Sequence, residues 1–449
     1  MGYNNTKKKC NNKKFNTKKK GIKLLKNILK KKTLKGGEKV GEGSFGCVVK
    51  PNIPCRRSNK RYPNTISKII HTKNNADYLK EFKIYKKIRK IDTSQKYLIS
   101  FIEECPLYEI DISSRHPRDI LTVELDDNNS DKYRLTGDNR QFRNKFNNKD
   151  IDNKFCKIDI YKNPRNMIQP FGGDDLRKFM RSKNLPNLSI LKKYYKNAIY
   201  NLCYGIYLMH RAKMVHRDIK DSNILIVLEK KRIKKSKSKT LSSESKSNNS
   251  NDFKILPRLR HIDFGLSEDF SSKTNRDIYD IHQQGTPGYV PIDIVILSKI
   301  KTKIHYNKDI FNENIKDNVI NSVYNYYKKK MSRKYSDYKI NKSFINLSNK
   351  QSSGSLNEYL SKENIENLYD KYANLIKEKK LSSVYFKKYD GYVYKTDVFA
   401  LGLVFRNMIN SLNIQDQSMN LLIKKMCQID PDDRLNIKEI IQDKVFKKL

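Results

Sequence analysis

At 449 residues the chain has room for two domains or for one large bilobal domain. Its 94 lysines and arginines against 48 aspartates and glutamates give a formal charge of +46. That excess favours acidic proteins, nucleic acid or anionic membrane as partners, unless the lysine and asparagine usage reflects only A- and T-rich codons. No apolar stretch approaches the roughly 18 residues of a membrane span, and no apolar core follows the basic start, so neither a transmembrane helix nor a secretory signal is expected. Cys10, Cys47, Cys55, Cys105, Cys156, Cys203 and Cys427 are odd in number, scattered and free of CxxC pairs. That pattern predicts neither a disulfide framework nor a zinc site, and it implies a reducing, intracellular, cytoplasmic setting.

Residues 1–35 form a lysine-rich tail in which Ile22, Leu25, Ile28 and Leu29 fall at helical spacing. A short basic amphipathic helix is expected there, laid on an anionic membrane or docked on the adjoining domain, with nucleic acid as the other partner the charge allows. Met1, Gly2 and Thr6 match the loose N-myristoylation pattern, against which the aromatic Tyr3 stands. Next comes "VGEGSFGCVVKP", Val40 to Pro51, with Gly41, Gly43 and Gly46 spaced GxGxxG. A dinucleotide-binding turn should open a helix. Here Cys47, Val48 and Val49 instead make a β-branched run stopped by Pro51, which reads as strand, turn, strand: either a lid over a nucleotide or a plain tight hairpin.

"NTISKII" is a further strand carrying Lys68, and "NADYLKEFKIYKKI" a helix started by Asn75, with Tyr78, Phe82 and Tyr85 on one face and Glu81 among them. A polar stretch spans about residues 105–160, ahead of "NMIQPFGGDDL". "MVHRDIKDSNILIVL" holds a carboxylate, a lysine and an amide, Asp218, Lys220 and Asn223, ahead of an apolar strand containing Leu225. "HIDFGLS" at Asp263, "GTPGYVPID" at Gly285, "KTDVFALGLVF" around Asp397 and "IDPDDRLN" ending near Arg434 complete the set. Between them the Lys/Ser/Asn-rich residues 229–257 read as a disordered surface insertion, and the polar residues 298–388 as an insertion, either helical or partly disordered.

Taken in this order, the pieces resemble the eukaryotic-type serine/threonine protein kinase family, from Val40 to Phe446 with the insertions unmatched. "ISKI" and "QPFGGDDL" look like the divergent kinases of giant nucleocytoplasmic DNA viruses, which would put the protein in a host cytoplasm or a virion. The resemblance implies an α+β, bilobal fold: a small β-rich N-lobe with one key helix over residues 36–166, a hinge at 167–173, and a larger, mainly helical C-lobe at 174–449.

It also implies ATP and Mg2+, or Mn2+ in its place, as cofactors. Asp218 would orient the substrate hydroxyl, Lys220 reach the γ-phosphate, and Asn223 and Asp263 hold the metal. Val40, Gly41, Gly43, Gly46 and Val48 would cover the nucleotide, Lys68 paired with Glu81 would meet its phosphates, and Met167, Gln169 and Leu225 would line the adenine. Val48 and Leu225 would sandwich that ring, with Ile66 a bulkier roof than the family usually carries. Asp174 or Asp175 would meet the ribose, or else cap a helix.

His216 would pack on Phe264, Thr286 would buttress Asp218 and Lys220, Asp397 would tie down the loop, and Asp293 would pair with Arg434. Arg217 would receive an activation-loop phosphate, for which Ser271, Ser272 and Thr274 are the candidates. The protein substrate is expected to be acidic or neutral around its target, because Ser222 stands where arginine-preferring kinases often carry glutamate. The rival classes are a nucleotide-binding pseudokinase scaffold and a small-molecule kinase of related fold.

Overall fold

The computed structural model describes residues 38–43, 46–55, 62–70, 75–106, 123–125, 133–135, 165–182, 184–232, 253–271, 285–332 and 361–447. The basic tail with Gly2, most of the 105–160 stretch, and Ser272 and Thr274 lie outside the described residues. The chain divides into two units, Met1–Tyr78 with Phe101–Phe171 and Leu79–Ser100 with Gly172–Leu449.

The first unit is built from β1 (Glu38–Gly43), β2 (Gly46–Lys50), β3 (Thr65–Ile70), β4 (Glu103–Pro106), β5 (Val123–Leu125), β6 (Tyr133–Leu135) and β7 (Arg165–Pro170). Five of these form an antiparallel sheet in the order β1-β2-β3-β7-β4, while β5 pairs with β6. Side chains alternate across the pleat. One face sends Cys47, Val49, Ile69, Cys105 and Ile168 into a core shared with Ile53 and Cys55. The opposite face carries Val48, Lys68 and Met167, which stand directly across from one another on β2, β3 and β7.

The core face overturns the expectation that the cysteines stay apart. Cys55 and Cys105 are joined by a disulfide, with Cα atoms 6.0 Å apart across 50 residues of sequence, and Cys47 is also disulfide-bonded. The pairing depends on β4 coming back to the sheet, which residue spacing alone does not reveal. Cys203 and Cys427 are free and buried.

Helix α1 (Asn75–Ile91) begins in the first unit and continues in the second. Glu81, Ile84, Tyr85 and Ile88, spaced three and four residues apart, are its buried stripe. The Asp92 carboxylate closes the helix end by accepting from the backbone of Lys96, Tyr97 and Leu98.

The second unit continues with β8 (Asp174–Asp175), α2 (Leu176–Arg181), α3 (Leu185–Lys193), α4 (Tyr195–Arg211), β9 (Met214–Val215), a 3-10 turn at Asp221–Asn223, β10 (Ile224–Arg232), β11 (Phe253–His261) and β12 (Glu268–Asp269). The remaining helices are α5 (Ile292–His305), α6 (Glu313–Ser332), α7 (Lys362–Lys377), α8 (Leu381–Tyr385), α9 (Tyr392–Ser411), α10 (Gln417–Met426) and α11 (Ile437–Ile441). Helix α9 is buried along almost its whole length, with Lys395, Asp397, Arg406 and Asn407 enclosed among its apolar residues.

Two expectations about insertions change here. Glu229–Arg232 and Phe253–Pro257 are not loop but the outer ends of the β10–β11 hairpin, paired in register out to Arg232 and Phe253. Only residues 233–252 between them lie outside the described residues. Where it is described, the 298–388 stretch is mainly helical, with short turns between the end of α5, α6, α7 and α8. Val319, Ile320 and Val323 of α6 and Ile365, Leu368, Tyr369 and Tyr372 of α7 join one core with α5 and the start of α9. Sparse apolar residues at helical spacing suffice when each one is buried. Mixed helix and strand, with the main sheet in the N-terminal region and helices dominating the C-terminal region, is the fold class expected. Among the described residues no helix is long and apolar enough to cross a membrane.

Candidate active site

In the first unit the glycine-rich stretch is the β1–β2 hairpin, with Gly43 opposite Gly46, Gly41 opposite Val48 and Val40 exposed on β1. Strand, turn, strand is therefore its form. Gly46 has a packing reason of its own, since a Cβ there would stand 2.0 Å from the Ile69 carbonyl oxygen. The row Val48–Lys68–Met167 continues beside it as Ile66 opposite Gln169. Every residue of β3 is buried, Lys68 included at 8% exposure. The Gln169 Nε2 is buried with no hydrogen-bond partner among the described residues. Five residues expected to surround a nucleotide, Val48, Ile66, Lys68, Met167 and Gln169, thus share one sheet face.

In the second unit the short β9 strand delivers the chain into the loop that carries Asp218. Asp397, at the start of α9 and fully buried, anchors that loop by accepting from the backbone N–H of His216 at 2.8 Å, from that of Arg217 at 2.8 Å, and from His210 Nε2 at 3.0 Å. Burial by itself would raise its carboxyl, but the His210 hydrogen bond and the nearby His216 outweigh that and hold it below the usual carboxylate value. The His216 ring lies 5.1 Å from Phe264, which also meets Tyr85 of α1 edge-on at 5.5 Å.

Asp218 is held by a fixed set of donors. The Thr286 backbone N–H and hydroxyl reach its Oδ1 at 2.9 and 2.6 Å. Lys220 Nζ and Asn223 Nδ2 reach its Oδ2 at 2.8 and 2.9 Å. Lys220 Nζ also donates to the Thr286 hydroxyl at 2.8 Å, and Asn223 Nδ2 to the Asp218 carbonyl at 2.9 Å. Asn223 thereby spends its amide hydrogens on Asp218, which leaves its side-chain oxygen for a cation. Asp263 is brought close to Asn223 by the β10–β11 ladder, in which Ile224 faces His261 and the Ile262 N–H donates to the Asn223 carbonyl at 3.0 Å. Its backbone is left-handed, φ 64°, a conformation seldom taken by residues other than glycine.

Leu225 sits on β10 opposite Asp175, with its side chain against Gly172. Asp175 is the N-cap of α2, its Oδ1 accepting from the Lys178 N–H at 2.8 Å, so the helix-cap reading applies to it and Asp174 is left as the exposed acid. Gly173 is required by geometry, with φ +95° and a Cβ that would stand 1.9 Å from the Ile226 carbonyl oxygen. Arg434 Nη2 meets Asp293 Oδ1 at 3.0 Å with both side chains fully buried. Glu81 is buried on α1 in the second unit and Lys68 on β3 in the first.

Some contacts were not foreseen. Asp221 accepts from the Tyr289 hydroxyl and from Asn407 Nδ2, each at 3.0 Å, and burial pushes its carboxyl up to about 6 against those bonds. Arg217 forms an ion pair with Glu268, Nη1 to Oε2 at 2.5 Å. An Asp inside "KDSN" and a Glu after "DFGLS" look like solvated charges, and no local signal marks their partners.

The family model for the protein kinase domain matches residues 156–446, more than half of the chain and beginning after the glycine-rich stretch, Lys68 and Glu81. No curated protein matches the chain.

Proposed function

The chain belongs to the protein kinase domain family, a family of phosphotransferases, and on that premise we propose that it passes the γ-phosphoryl group of ATP to serine and threonine hydroxyls of proteins. The observation that carries this reading is the Asp218 network, in which four donors aim one carboxylate. A substrate hydroxyl donates to Asp218, which orients its oxygen in line with the phosphorus. The new O–P bond forms as the bond to the β-phosphate oxygen breaks, ADP leaves, and the hydroxyl proton passes by way of Asp218 to water. Lys220 sits between Asp218 and Thr286, where its ammonium offsets charge on a phosphate oxygen.

The donor set fits ATP and a hard cation. Among the described residues no group of three or more His, Cys, Asp or Glu side chains could hold a metal. Mg2+, or Mn2+, takes one or two protein oxygens and completes its shell with phosphates and water. Asn223 and Asp263 would hold the ion, which supplies charge neutralisation when bound. Val40, Gly41, Gly43, Gly46, Val48, Lys68, Met167 and Gln169 of the first unit, with Leu225 and Glu81 of the second, would hold the nucleotide. The orphaned Gln169 amide is a donor in want of an acceptor on that face. The division into lobes at 36–166 and 174–449 belongs to the same reading, as do an acidic protein substrate and a tail that meets anionic membrane or nucleic acid.

The test is transfer of radiolabel from [γ-³²P]ATP to a mixed protein substrate by wild type and Asp263→Asn, with phosphoamino-acid analysis of the products. Labelled serine and threonine, lost by about a hundredfold or more in the variant, is expected. Wild-type protein that binds nucleotide but labels nothing would make it a scaffold instead.

A further inference from the structure

The loop that carries Asp218 is braced from behind by a two-residue strand. In β12, Glu268 pairs with Val215 and Asp269 with Met214, the residues that lead into the loop. Adjacent strand residues point to opposite faces, and here both faces end on a cation. Glu268 turns inward to Arg217, with Nη1 and Oε2 at 2.5 Å and side chains only 4% and 10% exposed. The guanidinium also lies 5.9 Å from the centre of the Phe270 ring and within hydrogen-bonding reach of Tyr385, itself buried. Asp269 turns outward to Lys87 of α1, whose Nζ also reaches the Ser271 hydroxyl at 2.5 Å.

A buried guanidinium needs a carboxylate or phosphate to offset its lost hydration. Arg217 has that group already, from a residue five positions beyond Asp263 in the same chain. An incoming phosphate would have to share Arg217 with Glu268 or displace it, with its added negative charge set beside that carboxylate. Arg217 is also the residue immediately before Asp218, at φ 68°, with its N–H on Asp397. Whatever fixes its side chain therefore fixes the backbone that presents Asp218.

We propose that Glu268 is a positioning residue that takes the place of an activating phosphate, so that the catalytic loop is set without phosphorylation of the segment after β12. This rests on the phosphotransfer reading above. Arg217 is thereby withdrawn as a phosphate receiver, while Asp269 and Lys87 link the same strand to the helix that carries Glu81.

The experiment uses the full chain, dephosphorylated by a broad-specificity phosphatase and checked by mass spectrometry before and after the assay. Initial rates of label transfer to dephosphorylated casein are compared for wild type, Glu268→Gln and Glu268→Asp, with thermal unfolding of each. Treated wild type should stay within about twofold of untreated enzyme. Glu268→Gln should lose about tenfold or more in kcat with the KM for ATP within about twofold, and Glu268→Asp should recover part of that loss, because a contact that only stabilised the fold would lower the melting temperature and leave kcat alone. Wild type that is active before phosphatase and inactive after it overturns the proposal and leaves phosphotransfer standing. So does a folded Glu268→Gln variant with wild-type kcat. Wild type inactive in both states sinks phosphotransfer and this inference together. If Glu268→Gln does not fold, the phosphatase arm and Glu268→Asp still decide.

Discussion

Replacing Thr286 by valine should cost turnover without costing the fold. Valine keeps the shape of threonine and removes only the hydroxyl, which donates to Asp218 Oδ1 at 2.6 Å and accepts from Lys220 Nζ at 2.8 Å. What remains still holds the carboxylate: the Thr286 N–H at 2.9 Å, Lys220 Nζ at 2.8 Å and Asn223 Nδ2 at 2.9 Å. A hydrogen bond to a charged group is worth about 1.5–3 kcal/mol. The pair lost here sits at a half-buried residue where water replaces part of each, so about 2–3 kcal/mol net is expected, equivalent to a fall of about 30- to 150-fold in kcat. On the proposed reading the KM for ATP should hold, because the lost hydroxyl contacts Asp218 and Lys220, and Thr286→Ser should stay near wild type. Steady-state and single-turnover label transfer by the three proteins measures this. A Thr286→Val enzyme within about threefold of wild type in kcat, or one whose whole loss lies in KM, would refute the idea that this hydroxyl aims Asp218.

Buried carboxylates give two further expected outcomes. Burial pushes Asp221 up to about 6, against hydrogen bonds from Asn407 and Tyr289, from an ordinary value of 3.8. Its folded pKa lies above its unfolded one, so its contribution to stability is fully present below about pH 4 and is lost as the pH rises through about 6. Asp221→Asn should flatten that part of the curve, by at most about 3 kcal/mol, when chemical denaturation is measured from pH 4 to 7. Parallel curves for the two proteins would show that this carboxyl does not titrate there. Asp397→Asn leaves one acceptor oxygen where three donors converge, and setting an amide N–H against a backbone N–H should cost about 3 kcal/mol. A calorimetric melting temperature unchanged to within about a degree would contradict that accounting.

Much of the site is legible in the residues alone. The offsets of Asp218, Lys220 and Asn223 belong to one turn, and a turn of a few residues fixes side-chain placement by its own backbone. Strand alternation likewise puts Val48 and Lys68 on one face once the β2–β3 register is known. Asp397 and Arg434 are recognisable because each sits inside a string that specifies its helix or loop.

Other contacts are decided by long-range packing, where residue type gives no direction. Which of Asp174 and Asp175 caps α2 is decided by where that helix starts in the fold. Whether Cys55 meets Cys105 is settled by the return of β4 to the sheet, and whether the 298–388 stretch has a core by the stacking of α6 and α7 on α5. Arg217 shows the distinction most sharply. Its sequence neighbours promise a cation beside a catalytic acid, but only the β9–β12 pairing turns Glu268 toward it, because a charge leaves water for the partner that the fold brings within reach, whatever partner its motif suggests.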